Sequence, residues 1–109
     1  MYRAPLRELH FVLHELLNDA RLSECPEYSD YDPSFADSVL EEAAKFAESV
    51  LAPINHSGDR EGAKWTPEGV TMPTSFRNAF TQFVESGWSQ LRAAPEYGGQ
   101  GAPLVLGTA

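Results

Sequence analysis

The chain has 109 residues and a formal charge of −8, from 8 basic and 16 acidic side chains, and 42% of its residues are hydrophobic. That length allows one small domain with a thin core, and the acidic balance excludes the basic, phosphate-facing surface that a nucleic-acid binder needs. A single cysteine, Cys25, leaves no internal disulfide, and no apolar run is long enough for a membrane span or a signal-peptide core, so the expected setting is cytoplasmic.

Along the chain, Leu6, Leu9, Leu13 and Leu16 recur at steps of three and four, with Val12 and Leu17 beside them. This spacing predicts a first amphipathic helix, with Pro5 suited to its first turn. Cys25-Pro26 and the acidic stretch to Pro33 read as a loop. From Asp19 to Glu48 there are nine acids against two bases, −7 of the chain's −8. The expectation for that stretch is a solvated face and a polar linker. Asp32-Pro33-Ser34 supplies a cap and an N-terminal proline for a second helix, whose stripe runs through Phe35, Val39, Ala43, Phe46, Val50 and Ile54. Pro53 is expected to end or kink it, leaving Asn55 to Gly69 as a long connection, with a short extended piece possible at Gly69 to Met72. A third helix is predicted from Pro73 to about Glu85, on the spacing of Phe76, Ala79, Phe80, Phe83 and Val84, with Gly87 as its stop. Pro95 to Gly107, rich in glycine and proline, reads as loop. The predicted fold class is all-α, a small helical domain with three main amphipathic helices and a core of Phe76, Phe80, Phe83 and Trp88.

Catalytic patterns do not assemble in this chain. His10 and His14 share a helix face, but His14-Glu15 is followed by Asn18 where a zinc-protease helix needs a second histidine, so both are read as polar-flank residues rather than metal ligands. Cys25 lies among Glu24, Glu27 and Asp30, the wrong electrostatic setting for a thiolate nucleophile. No Gly-x-Ser-x-Gly elbow occurs, and the paired carboxylates lie at loop or exposed positions. Gly98-Gly99-Gln100-Gly101 lacks the spacing and the preceding strand of a phosphate cradle, and by itself it is a tight turn.

With its neighbours, Pro95-Glu96-Tyr97-Gly98-Gly99-Gln100-Gly101 resembles the Pro-Glu-x-Gly-Gly-x-Gly signature of the acyl-CoA dehydrogenase family. It follows Phe83-Val84-Glu85-Ser86-Gly87-Trp88, similar to the helix ending in Gly-Trp that precedes the signature there. Leu40 to Glu48 resembles the family's early helix, and Val50 to Asn55 with Gly58-Asp59-Arg60-Glu61-Gly62 resembles its continuation. Tyr2 to Glu8 and Phe11 to Glu15 are similar to an N-terminal extension found in the subgroup of FadE-like enzymes and methylthiopropanoyl-CoA dehydrogenases. The expected organisation is therefore an extension helix and acidic loop at 1–31 and a partial N-terminal helical domain at 32–109.

The resemblance implies an enzyme that uses FAD to convert an acyl-CoA thioester to its trans-2-enoyl-CoA, with electrons leaving to an electron-transfer flavoprotein, and a homo-oligomeric parent. Family members continue into a middle β-domain and a C-terminal bundle that carries the catalytic glutamate, regions this sequence does not contain. No catalytic, cofactor-binding or metal residue is therefore expected here. Pro95, Glu96, Tyr97, Gly98, Gly99 and Gly101 are expected to be a structural loop, and the chain is not expected to bind FAD alone. The alternative expectation is a standalone helical protein-interaction module derived from this domain.

Overall fold

The computed structural model describes residues 1–109. The N-terminal segment is helix α1, Leu6–His10, continuing as a π-helical turn over Phe11–Leu16. Asn18 stops it in the left-handed conformation, at φ 49°, which a short polar side chain tolerates. Two 3₁₀ turns, Asp19–Glu24 and Pro26–Tyr28, lead to helix α2, Pro33–Phe46. Its start is the expected one: the Asp32 carboxylate accepts the Ser34 N–H at 2.9 Å, and Pro33 occupies the first turn, where no N–H is missed.

Pro53 is the residue expected either to end the second helix or to kink it. The helix does not end there; a π-helical stretch, Ala47–Leu51, carries α2 into α3, Ala52–Glu61. A proline inside a helix lacks the N–H and crowds the carbonyl four residues back, and a widened turn just before it relieves that crowding. The three segments, of 14, 5 and 10 residues, make one helical rod roughly 40 Å long. The predicted connection at 55–69 is therefore half helix. Its remainder is a hairpin, strand β1 (Lys64–Thr66) antiparallel to β2 (Gly69–Thr71), with Trp65 opposite Val70.

Helix α4, Thr74–Glu85, returns against α3. Glu61, the last residue of α3, accepts both the main-chain N–H and the hydroxyl of Thr74, so one helix caps the next. Gly87, at φ 81°, ends α4 as expected. The glycine- and proline-rich tail holds a 3₁₀ turn at Pro95–Tyr97 and a short helix α5, Leu104–Thr108, where a loop was expected.

The core also differs from expectation. Its centre is Leu13, Ala36, Leu40 and Leu106, which joins the N-terminal segment, α2 and α5. Phe76, Phe83 and Trp88 are only half-buried and Phe80 is 67% exposed. The molecule measures 52 × 35 × 19 Å, so no further layer covers the outer side of α4. Phe83 and Trp88 instead flank Phe46 of α2, with ring centroids 6.2 and 6.4 Å away. The all-α reading holds, with one hairpin added.

Candidate functional site

The glycine loop is laced onto the segment that precedes it. From Tyr97 to Ala102, six consecutive N–H groups donate to main-chain carbonyls: Ala94, Pro95, Ala94 again, Gln90, Ala93 and Leu91. Gly98 takes the left-handed conformation at φ 80°, and a Cβ on Gly99 would collide with the backbone of Ala93. The glycines are therefore needed for close backbone approach. Pro95 packs beside Gly101, while Glu96 and Tyr97 project into solvent, Tyr97 with 82% of its surface exposed. Gln100 reaches back toward Gly87 and lines a pocket of about 460 Å³ with Phe46 and Trp88.

A larger cleft of about 940 Å³ opens between the end of the helical rod, the hairpin and α4. Leu51, Ile54, Val70, Met72 and Phe80 supply its apolar lining, and Arg77 its one charged group. Its floor is a tight helix crossing, because Gly58 of α3 lies directly against the Phe76 ring of α4.

A flavin dinucleotide needs N–H donors or cations for its pyrophosphate and polar partners for its ring edge. The amides of the glycine loop are all engaged internally, and the polar lining of the large cleft is Arg77 with Asn55, Thr71 and Thr74. The glycine loop therefore offers no free amide to a pyrophosphate.

Sequence reasoning missed a polar cluster at the N-terminal end. His14 Nδ1 lies 2.8 Å from Asp19 Oδ1, and its Nε2 lies 2.6 Å from Asp37 Oδ1. The Tyr31 hydroxyl donates to Asp19 Oδ2 at 2.6 Å. Hydrogen bonds to Asp19 and then Asp37 raise His14 above its ordinary range, and burial, then Asp19, raises the Tyr31 phenol. This corrects the reading of residues 19–48 as a merely solvated face: Asp19 is buried, Asp37 is half-buried, and Glu48 accepts the Ala4 N–H at 2.9 Å. It also corrects the polar-flank account of His14. The legible signal was His14 five residues before an aspartate on a helix whose other face is leucine. Its partner on α2 had no local signature. Cys25 is exposed, outside any cluster.

What the fold and loop define, then, is a thin helical unit with a self-laced Pro-Glu-x-Gly-Gly-x-Gly turn at one end and an uncovered apolar cleft beside its longest helix. No family model matches the chain. It is 34% identical over 108 residues, 99% of its length, to the 3-methylmercaptopropionyl-CoA dehydrogenase of Ruegeria pomeroyi, of which it covers 18%. It is 30% identical over 107 residues to the broad-specificity linear acyl-CoA dehydrogenase FadE5 of Mycobacterium tuberculosis, again 18% of that protein. A third relative, the butyryl-CoA dehydrogenase of Syntrophomonas wolfei subsp. wolfei, matches at 30% over 90 residues. The chain is thus related, over nearly its whole length, to the acyl-CoA dehydrogenase family. It spans less than a fifth of the length of these relatives. No helix is long and apolar enough to cross a membrane.

Proposed function

We propose that the chain is the N-terminal helical portion of a flavin-dependent acyl-CoA dehydrogenase, structural and catalytically silent by itself. The observation that carries this reading is the match along 99% of the chain to 18% of a dehydrogenase of that class. The uncovered cleft agrees with it, since an apolar surface of this kind is stable in a larger protein only when something packs over it. In the parent, the remaining domains cover that cleft and supply the FAD site and the catalytic carboxylate. The parent acts in the cytoplasm as a homo-oligomer, oxidises an acyl-CoA to the trans-2-enoyl-CoA and passes electrons to an electron-transfer flavoprotein.

Residues 1–31 are the extension of the subgroup and 32–109 the family's helical domain. The boundary is one of ancestry rather than of folding, since Leu13 shares a core with Leu40 and Leu106. The exposed cleft also favours a second reading, a standalone interaction module built from this domain. Size-exclusion chromatography of the chain with excess FAD tests the first. A protein peak without flavin absorbance is expected. A peak that carries flavin at the protein's elution volume would overturn the division of labour, because the chain would then build a cofactor site unaided.

A further inference from the structure

Both ring nitrogens of His14 face carboxylate oxygens at hydrogen-bonding distance, one on Asp19 and one on Asp37. A neutral imidazole has one N–H and one lone pair, so it satisfies only one of these partners and sets lone pair against lone pair at the other. Asp19 accepts the Tyr31 hydroxyl hydrogen bond at Oδ2, which leaves Oδ1 to His14. A carboxylate whose side chain is only 2% exposed is stable when a cation sits close by. His14 is the group placed to supply it.

The other groups around His14 do not take that role. His10, one turn earlier, has its ring centroid 5.7 Å from that of His14, and its Nε2 lies 3.4 Å from the same Asp37 oxygen. Tyr31 donates as a neutral phenol. Helix α5, which packs on the same core through Leu106, carries no titratable side chain.

We propose that His14 is a proton-operated latch: as an imidazolium it fastens the N-terminal segment to α2, and on losing a proton it lets go of Asp37. The release is one-sided for a physical reason. Asp37 is 40% exposed at its side chain and can turn to water, whereas buried Asp19 keeps the remaining N–H. Since these hydrogen bonds raise His14 in the folded chain, the latch is fully closed below about pH 6.5, the value of a free histidine. Its contribution is lost as the pH rises through the higher folded value, so release comes on raising the pH and not on lowering it.

Nuclear magnetic resonance of the full chain, read at the ring nitrogens of His14, tests this. Protons on both nitrogens at mildly acid pH and a titration midpoint above about 6.5 are expected. A bare nitrogen at mildly acid pH, or a midpoint at or below that of free histidine, overturns the latch. Asp37→Asn should lower the midpoint and speed amide exchange across Phe11–Leu16 by about tenfold or more, the loss of a charge-assisted hydrogen bond. Unchanged exchange in that variant would overturn the proposal even if His14 is charged. The stability difference between wild type and His14→Gln should shrink from mildly acid to alkaline pH, and a difference that stays constant would also count against it.

Discussion

Leu13 is the one large side chain fully withdrawn from solvent, at 2% exposure, and it touches both α2 and α5. Truncating it removes contacts on several sides and leaves a cavity that thin surroundings cannot collapse around. Leu13→Ala should therefore cost about 2–5 kcal/mol of unfolding free energy. Phe80→Ala should change it by no more than about 0.5 kcal/mol, because the ring stands mostly in solvent. Urea denaturation of the two variants side by side checks the contrast, and equal losses would mean that Phe80 is covered in solution. The difference between these two residues marks where sequence reasoning succeeds at this scale. Both sit on correctly placed apolar stripes, but a stripe records which face is apolar and not what covers it. His14 failed for a related reason, since its partner on α2 is 23 positions away.

At the scale of elements, local chemistry was the more reliable guide. Asp32 and Pro33 start α2 and Gly87 ends α4, each by satisfying or omitting a terminal main-chain group within a few residues. Pro53 does not stop the helix because the relief it receives, the wide turns of Ala47–Leu51, comes from a geometry that periodicity does not reveal. Helix α5 was hidden inside glycine- and proline-rich sequence, and Leu106 earns its place there only by a contact with Leu13 and Leu40. The crossing of α3 and α4 depends on Gly58, where a Cβ would overlap the Phe76 ring. Gly58→Ala gains about 1 kcal/mol of helix propensity. The steric cost of about 1–3 kcal/mol outweighs it, because the ring is held between two helices. A lower thermal midpoint is expected, with partial recovery when Phe76→Leu is added. A midpoint raised by Gly58→Ala alone would mean that the two helices do not touch in solution.

Viewed whole, the molecule is a slab with a Cα radius of gyration of 16.9 Å, against about 13 Å for a compact domain of similar length. Only 10 of its 109 residues are buried, so most of its apolar side chains keep some contact with water. Solution X-ray scattering of the monomer should give a radius of gyration well above about 13 Å. A value near that figure would mean that the hairpin folds down over the cleft. The glycine loop was legible as a motif from the sequence. That its amides are all consumed internally was not, because each donor's partner is set by the path of the chain between Gln90 and Ala102.

The helical rod from Pro33 to Glu61 spans between the two ends of the molecule. At one end it meets the Leu13 and Leu106 core, and at the other the Phe76 ring of α4. Loss of order at either end therefore reaches the other along the rod and through Phe46 at its middle, which packs on Phe83 and Trp88. A single melting transition shared by both ends is accordingly expected, and two separate ones would mean that the Phe46 contacts are not made in solution.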